Sequence, residues 1–403
     1  MVRPTPVTLH AHAVLTPSRR LSPGWVTVRG SVVTALGSGR PPTEGHVVRL
    51  GGHLIVPGYV DLHVHGGGGA QVNGDSANDV RGSVRRFAAH HVRHGTTALL
   101  ATAVSCPPDE LLEVVRGIAA CMEDPQAGAR ILGAHLEGPW LSPARAGAQD
   151  IRFLRPPEAG ELGRLQRAAP ETIRRVTLAP ELPGALALIG ELTRHRIVAS
   201  IGHTDADFAT AQEAIEAGAT SVTHLFNAMP GLHHRDPGPA AAALRDARVT
   251  VELIADGVHI HPAVLALVVR AAPGRVVAVT DAVAATGLAA GRHEIGHGAV
   301  DVAAGRVSMV DAPQTLAGSV LTMDEAVANL VRAGVSVQEA VTAATATPAR
   351  TIEDSSIGVI RVGSGADLAI LDPELRCSAT VVGGRAVHDP EDILQGALPA
   401  PAG

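Results

Sequence analysis

Eight short apolar runs, spaced by stretches with helical periodicity, constrain this chain's fold more than any other feature. The runs cover residues 54–61, 96–102, 131–137, 174–179, 197–203, 221–225, 250–255 and 276–281. Helical candidates lie between them at 79–94, 108–122 and 205–216, the last with an Asp in its first turn and Gly218 just past its end. Alternation of strand and helix is the pattern of a parallel sheet, and eight units is the number that closes a (β/α)8 TIM barrel. The expectation is therefore an α/β chain with its barrel at 56–348. The flanks differ in texture. Residues 7–54 hold short β-rich pieces such as Trp25-Val-Thr-Val28, and similar pieces return at 366–371 and 379–384. The two chain ends, 1–55 plus 349–403, are expected to meet in one small β-sandwich domain.

At 403 residues, 46% hydrophobic and 18% charged, the chain has ample material for a core and no sign of disorder. A net charge of −6 gives no electrostatic reason to expect nucleic acid or an anionic membrane as partner. No apolar run is long enough to span a bilayer, and the first twenty residues lack a signal-peptide pattern, so a cytoplasmic protein is expected. Cys106, Cys121 and Cys377 form neither a metal-type spacing nor an even set, which argues for a reducing compartment. All 33 basic residues are arginine. A lysine Schiff base, a P-loop lysine and a carboxylated lysine bridging two metals are thus ruled out.

The chemistry gathers at the ends of the runs. Asp61, His63 and His65 alternate in Pro57-Gly-Tyr-Val-Asp-Leu-His-Val-His65, so all three project to one side of a strand. Glu137 ends the third run, His203 the fifth, His224 the sixth and Asp281 the eighth. Catalytic groups of such barrels sit where the strands end. Histidine nitrogens and carboxylate oxygens there suit a zinc-like divalent ion, which lowers the pKa of its water to ~7. Without lysine, Glu137 is the natural bridging anion, between His203 and His224 on one side and His63 and His65 on the other. Asp281 is the candidate proton shuttle.

Six ordered blocks, HLEGPWLSP, SIGHTDAD, THLFNAMPG, IADGVHIHP, VTDAVAATG and LAGSVLTMDEAV, resemble those of the N-acetylglucosamine-6-phosphate deacetylases of the amidohydrolase superfamily. The similarity runs from PGYVDLHVHGGGG to Gly363-Ser-Gly-Ala-Asp-Leu-Ala-Ile370. It implies an amidohydrolase-type barrel, a zinc or iron cofactor of one or two ions, and an amino-sugar phosphate as substrate. It also implies Glu137, His203 and His224 as metal ligands, His63 and His65 as holders of a second ion, and Asp281 as catalytic carboxylate. By the same resemblance Asn227 and Ala228 contact the sugar phosphate, His259 contacts substrate, and Leu316, Ala317 and Gly318 form a loop closing over the sugar. Arg235 matches an arginine that reaches the phosphate of the adjoining subunit, which implies a homodimer.

One departure stands out. Where that family often reads Gly-x-His after Glu137, this chain reads Gly147-Ala148-Gln149, and Gln cannot become cationic. Ala148 and Gln149 are taken as substrate-side residues whose change alters phosphate affinity or sugar preference. His233 and His234 flank Arg235 and are candidates to assist it. His90, His91 and His94 are read as a solvated helix end. Three alternatives remain open: the same reaction on N-acetylgalactosamine 6-phosphate, another amidohydrolase reaction on a cyclic amide or nucleobase, and a catalytically silent sugar-phosphate binding protein.

Overall fold

In the computed structural model, which describes residues 5–73, 79–122, 128–295 and 298–401, the eight runs become eight strands of one sheet. They are Tyr59–Val64, Thr96–Ala103, Arg130–Glu137, Ile173–Leu178, Val198–Ile201, Ser221–Val222, Thr250–Ile254 and Val276–Val279, called barrel strands one to eight. Their order in the sheet is their order in the chain, and each neighbouring pair is parallel. The sheet closes on itself where the eighth strand meets the first. There Asp281 N donates to His63 O (2.9 Å) and His65 N to Ala282 O (2.9 Å).

Helices follow the strands and cover the barrel, their apolar faces joining one core with the outward strand residues. Phe87, on the first helix, is fully buried there, a burial that stabilises by about 1.5–3 kcal/mol. Local sequence sets the helix ends. Asp79 caps Val80–His91 by accepting from Gly82 N (3.1 Å), and Asp207 caps Phe208–Ala217 by accepting from Thr210 N (2.8 Å). Gly218 ends the latter helix at φ +119°, a backbone conformation open to glycine.

The run expected as the first barrel strand proves to be two strands. Leu54–Pro57 pairs with Ala13–Leu15 and Leu368–Leu371 outside the barrel, and only Tyr59–Val64 enters it. The break falls at Pro57-Gly58, where a proline has no N–H for a ladder. A Cβ on Gly58 would lie 2.2 Å from the Thr97 side chain, so only glycine passes there. Both chain ends do meet in β structure. A four-stranded sheet (Val7–Ala11, Gly24–Arg29, Val32–Ser38, His46–Arg49) and a six-stranded sheet joining Ala13–Leu15, Arg20–Leu21 and Leu54–Pro57 to Leu368–Leu371, Cys377–Val382 and Arg385–His388 share one apolar core. Leu9, Val26, Ile55 and Ile370 lie within it.

A further, three-stranded sheet was not expected. Gly291–Ile295, Gly298–Ala303 and Arg306–Met309 form an antiparallel insertion between barrel strand eight and helix Met323–Arg332. Its sequence trace was present: Ala299-Val-Asp-Val-Ala303 alternates, and Ala304 and Gly305 take φ +50° and +77°, as a tight two-residue hairpin turn requires. Cys106, Cys121 and Cys377 carry free thiols. No described helix is long and apolar enough to cross a membrane.

Candidate active site

The barrel interior carries a polar layer that supports the residues above it. Glu252, on strand seven, and Arg175, on strand four, are both fully buried and ion-paired. Arg175 also donates to Ser200 Oγ (2.8 Å) and Ser221 Oγ (3.2 Å). Burial disfavours the charge of Glu252, but the Arg175 guanidinium and the His63 hydrogen bond outweigh it and hold the carboxyl below its ordinary range. Sequence reading missed this pair, although a charged residue inside each apolar run was its sign. Asp61, expected beside the histidines as the start of the metal site, belongs to this lower layer instead. Its carboxylate accepts from Thr280 Oγ1 (2.6 Å) and His63 N (3.2 Å), fastening strand one to strand eight, and burial pushes its pKa to about 7. The short Asp61 side chain, tied to Thr280 and to the His63 backbone, does not reach the point where the longer imidazoles of His63 and His65 meet.

Above this layer six side chains converge. Glu137 Oε1 lies 3.1 Å from His224 Nε2, 3.3 Å from His203 Nε2 and 3.3 Å from His63 Nε2, while Oε2 lies 3.3 Å from His65 Nε2. Asp281 Oδ1 is 3.4 Å from His63 Nε2 and 3.2 Å from His65 Nε2. The donors fall into two sets, Glu137 with His203 and His224, and His63 and His65 with Asp281. Donor atoms ~2.0–2.1 Å from a tetrahedral ion stand ~3.3 Å apart, so the spacing fits a shared cation.

The outer hydrogen bonds support the same conclusion. His63 Nδ1 donates to Glu252 Oε2 (3.4 Å), His65 Nδ1 to the Thr102 carbonyl (3.2 Å) and His203 Nδ1 to the Arg145 carbonyl (2.9 Å). Each bond leaves the inward Nε2 with its lone pair. Nε2 of His203 and Nε2 of His224 are 3.1 Å apart, as are those of His63 and His65. Lone pairs facing at that distance repel unless a cation or proton lies between them. Burial opposes charge on Glu137 and Asp281, yet His63 and His203 hold Glu137 well below the ordinary carboxylate range, and His63 and His65 hold Asp281 below it. Against the same burial, Asp281 and Glu137 raise His65 to about 9. The pocket is thus built for positive charge, and its donors suit a divalent ion.

Backbone geometry places these groups at some cost. His203, His224 and Asp281 take φ +46°, +28° and +50°, a region disfavoured for residues with a Cβ and typical of functional sites. Phe226 and Ala228 share it at +77° and +50°, which bends the loop after strand six back over the cavity. Gly318, at φ +62°, approaches so closely that a Cβ would lie 2.7 Å from Asp281 O.

His65, Glu137, His203, His224 and Asp281 open onto a cavity of about 530 Å³, a size suited to a small ligand. Of the expected substrate-side residues, Asn227, Ala228, His259 and Ala148 line this cavity, as do Leu316, Ala317 and Gly318. The inserted sheet supplies Gly298 and Met309 to the same wall, a contribution sequence reading did not foresee. His259 is oriented by Asp256, which accepts from its Nδ1 (2.7 Å). Gln149 also lines the cavity, but its amide is engaged by Glu137 and Ser105. Arg235, His233 and His234 are exposed, and Arg235 is not part of the cavity wall. The helix-end histidines are not solvated as expected. His91 is fully buried and bonded to the Gly66 carbonyl (2.9 Å), His90 packs on the glycine loop after His65, and burial lowers their pKa values to about 3 and about 4.

Residues 54–390 match the sequence profile described as Amidohydrolase family. The chain belongs to the amidohydrolase family. This amidohydrolase is 38% identical over 351 residues to a zebrafish (Danio rerio) N-acetylglucosamine-6-phosphate deacetylase, covering 85% of this chain and 86% of the relative. It is 35% identical over 379 residues to an Escherichia coli N-acetylgalactosamine-6-phosphate deacetylase, covering 94% and 98%. A solved N-acetyl-D-glucosamine-6-phosphate deacetylase variant from Mycobacterium smegmatis, in complex with N-acetyl-D-glucosamine-6-phosphate, superposes with a TM-score of 0.89. That chain is 40% identical, and the superposition covers 95% of this chain and 99% of it.

Proposed function

We propose that this amidohydrolase removes the acetyl group from N-acetylglucosamine 6-phosphate, releasing acetate and glucosamine 6-phosphate in amino-sugar catabolism. The observation that carries the reading is the convergence of Glu137, His203, His224, His63, His65 and Asp281, all but the buried His63 lining one cavity. Relatives named for this activity at similar length support the choice of substrate. Glu137, His203 and His224 would hold a divalent ion, zinc or iron, and His63, His65 and Asp281 a second; bound there, it would supply Lewis acidity toward the acetyl carbonyl and toward water. Asp281 accepts the proton of the water that attacks the acetyl carbon. It returns that proton to the amide nitrogen as the C–N bond breaks, so the amine leaves neutral with acetic acid, whose remaining proton passes to solvent to give acetate. Asn227, Ala228 and His259 position the sugar, and Leu316, Ala317 and Gly318 shield the reacting carbonyl from bulk water.

The exposure of Arg235 fits a role outside its own cavity, serving the phosphate in a neighbouring subunit of a homodimer, and an arginine fork suits phosphate geometry. We place the enzyme in the cytoplasm, with no nucleic-acid or membrane partner. Because Leu54–Pro57 is paired within the outer sheets, we set the barrel's beginning at Gly58 rather than at residue 56. A second reading, the same reaction on N-acetylgalactosamine 6-phosphate, is favoured by the relative that spans 94% of this chain. Steady-state acetate release from both sugar phosphates tests the choice: a higher kcat/KM on the gluco substrate is expected, the reverse order selects the second reading, and no release from either refutes both.

A further inference from the structure

Gln149 is 9% exposed, and both ends of its amide are committed. The Ser105 backbone N–H donates to Oε1 (2.8 Å), which fixes the orientation of the amide. Nε2 must then face the other way, where it donates to Glu137 Oε2 (2.7 Å). The two oxygens of Glu137 therefore meet different company: Oε1 faces His203, His224 and His63, and Oε2 faces His65 and the Gln149 amide. A carboxylate free to turn about its last bond can give both oxygens to one ion or one oxygen to each of two. A donor locked onto one oxygen removes that freedom, and Gln149 is itself locked by a backbone group on the loop after strand two. Its amide is neutral at every working pH, so it holds the carboxylate without cancelling the negative charge a cation needs.

We propose that Gln149 is a positioning residue for Glu137: by holding Oε2 toward His65, it completes the half-site of His63, His65 and Asp281 and determines whether a second ion stays bound. The proposal rests on the metal-hydrolase reading above. Its residue lies two positions past Gly147, on the loop that follows strand three, so the same contact ties that loop to the centre.

The test is metal stoichiometry and stepwise affinity, not turnover. Protein stripped by a chelator is titrated with zinc against a chromophoric competitor, and bound metal is counted by mass spectrometry, for the native chain, Gln149→Leu and Gln149→Met. The native chain is expected to take two ions, and in both variants one affinity should fall about 10–100-fold while the other stays within about twofold. The retained ion then shows that the fold has survived. Unchanged affinities overturn the proposal, and so does an equal loss at both positions, which is what a purely structural role produces. A native chain that takes one ion overturns the proposal and leaves the hydrolase reading standing. One that takes none removes that reading as well.

Discussion

Asp281 has two duties that pull on the same carboxylate: it faces His63 and His65, and it must exchange a proton with water and with the leaving nitrogen. Asparagine keeps the shape and loses the basicity. Asp281→Asn is therefore expected to lower kcat by about 10²–10⁴-fold, with the ion at Glu137, His203 and His224 still bound by elemental analysis. Near-native turnover in that variant contradicts the shuttle assignment. These six residues were legible because each stands at or just past the end of an apolar run, where chain direction alone predicts a shared rim. Asp61 was misread for the same reason: alternation gives the face of a strand, and depth along the barrel axis comes only with the register to strand eight, where Thr280 claims the carboxylate.

Strand four and strand seven show what pattern cannot supply. Arg175 and Glu252 look like interruptions in apolar runs, and nothing local says that they point inward and meet across 77 positions of chain. Once paired, each makes the other tolerable in a dry interior. Arg175→Met should leave Glu252 buried without its cation and destabilise the fold by about 3–5 kcal/mol, read as a fall in the denaturant midpoint. A paired Arg175→Met, Glu252→Gln variant should recover much of that loss; equal midpoints for the native chain and Arg175→Met contradict the account. The split of 54–61 and the inserted hairpin were obscured differently. The first is a tertiary choice between two sheets at a glycine that Thr97 crowds, and the second is built from short pieces of four to six residues that pair with their immediate neighbours in sequence, each too brief for its alternation to stand out.

At the scale of the whole molecule, the barrel and the inserted sheet leave a cavity of about 530 Å³ whose walls come from separate segments. Nothing on its described walls supplies an arginine for a phosphate, and Arg235 is exposed. The chain should therefore run as a dimer by light scattering, and Arg235→Ala should raise KM for the sugar phosphate while metal content is unchanged. An active monomer, or an unaltered KM, contradicts the shared-site arrangement. Every functional statement depends on a cation gathering side chains drawn from five of the eight strand ends. Diffraction from zinc-loaded crystals, recorded across the zinc absorption edge, addresses this directly. The account predicts an anomalous peak ~2.0–2.2 Å from Glu137, His203 and His224; full zinc loading with no peak bonded to those three residues contradicts it.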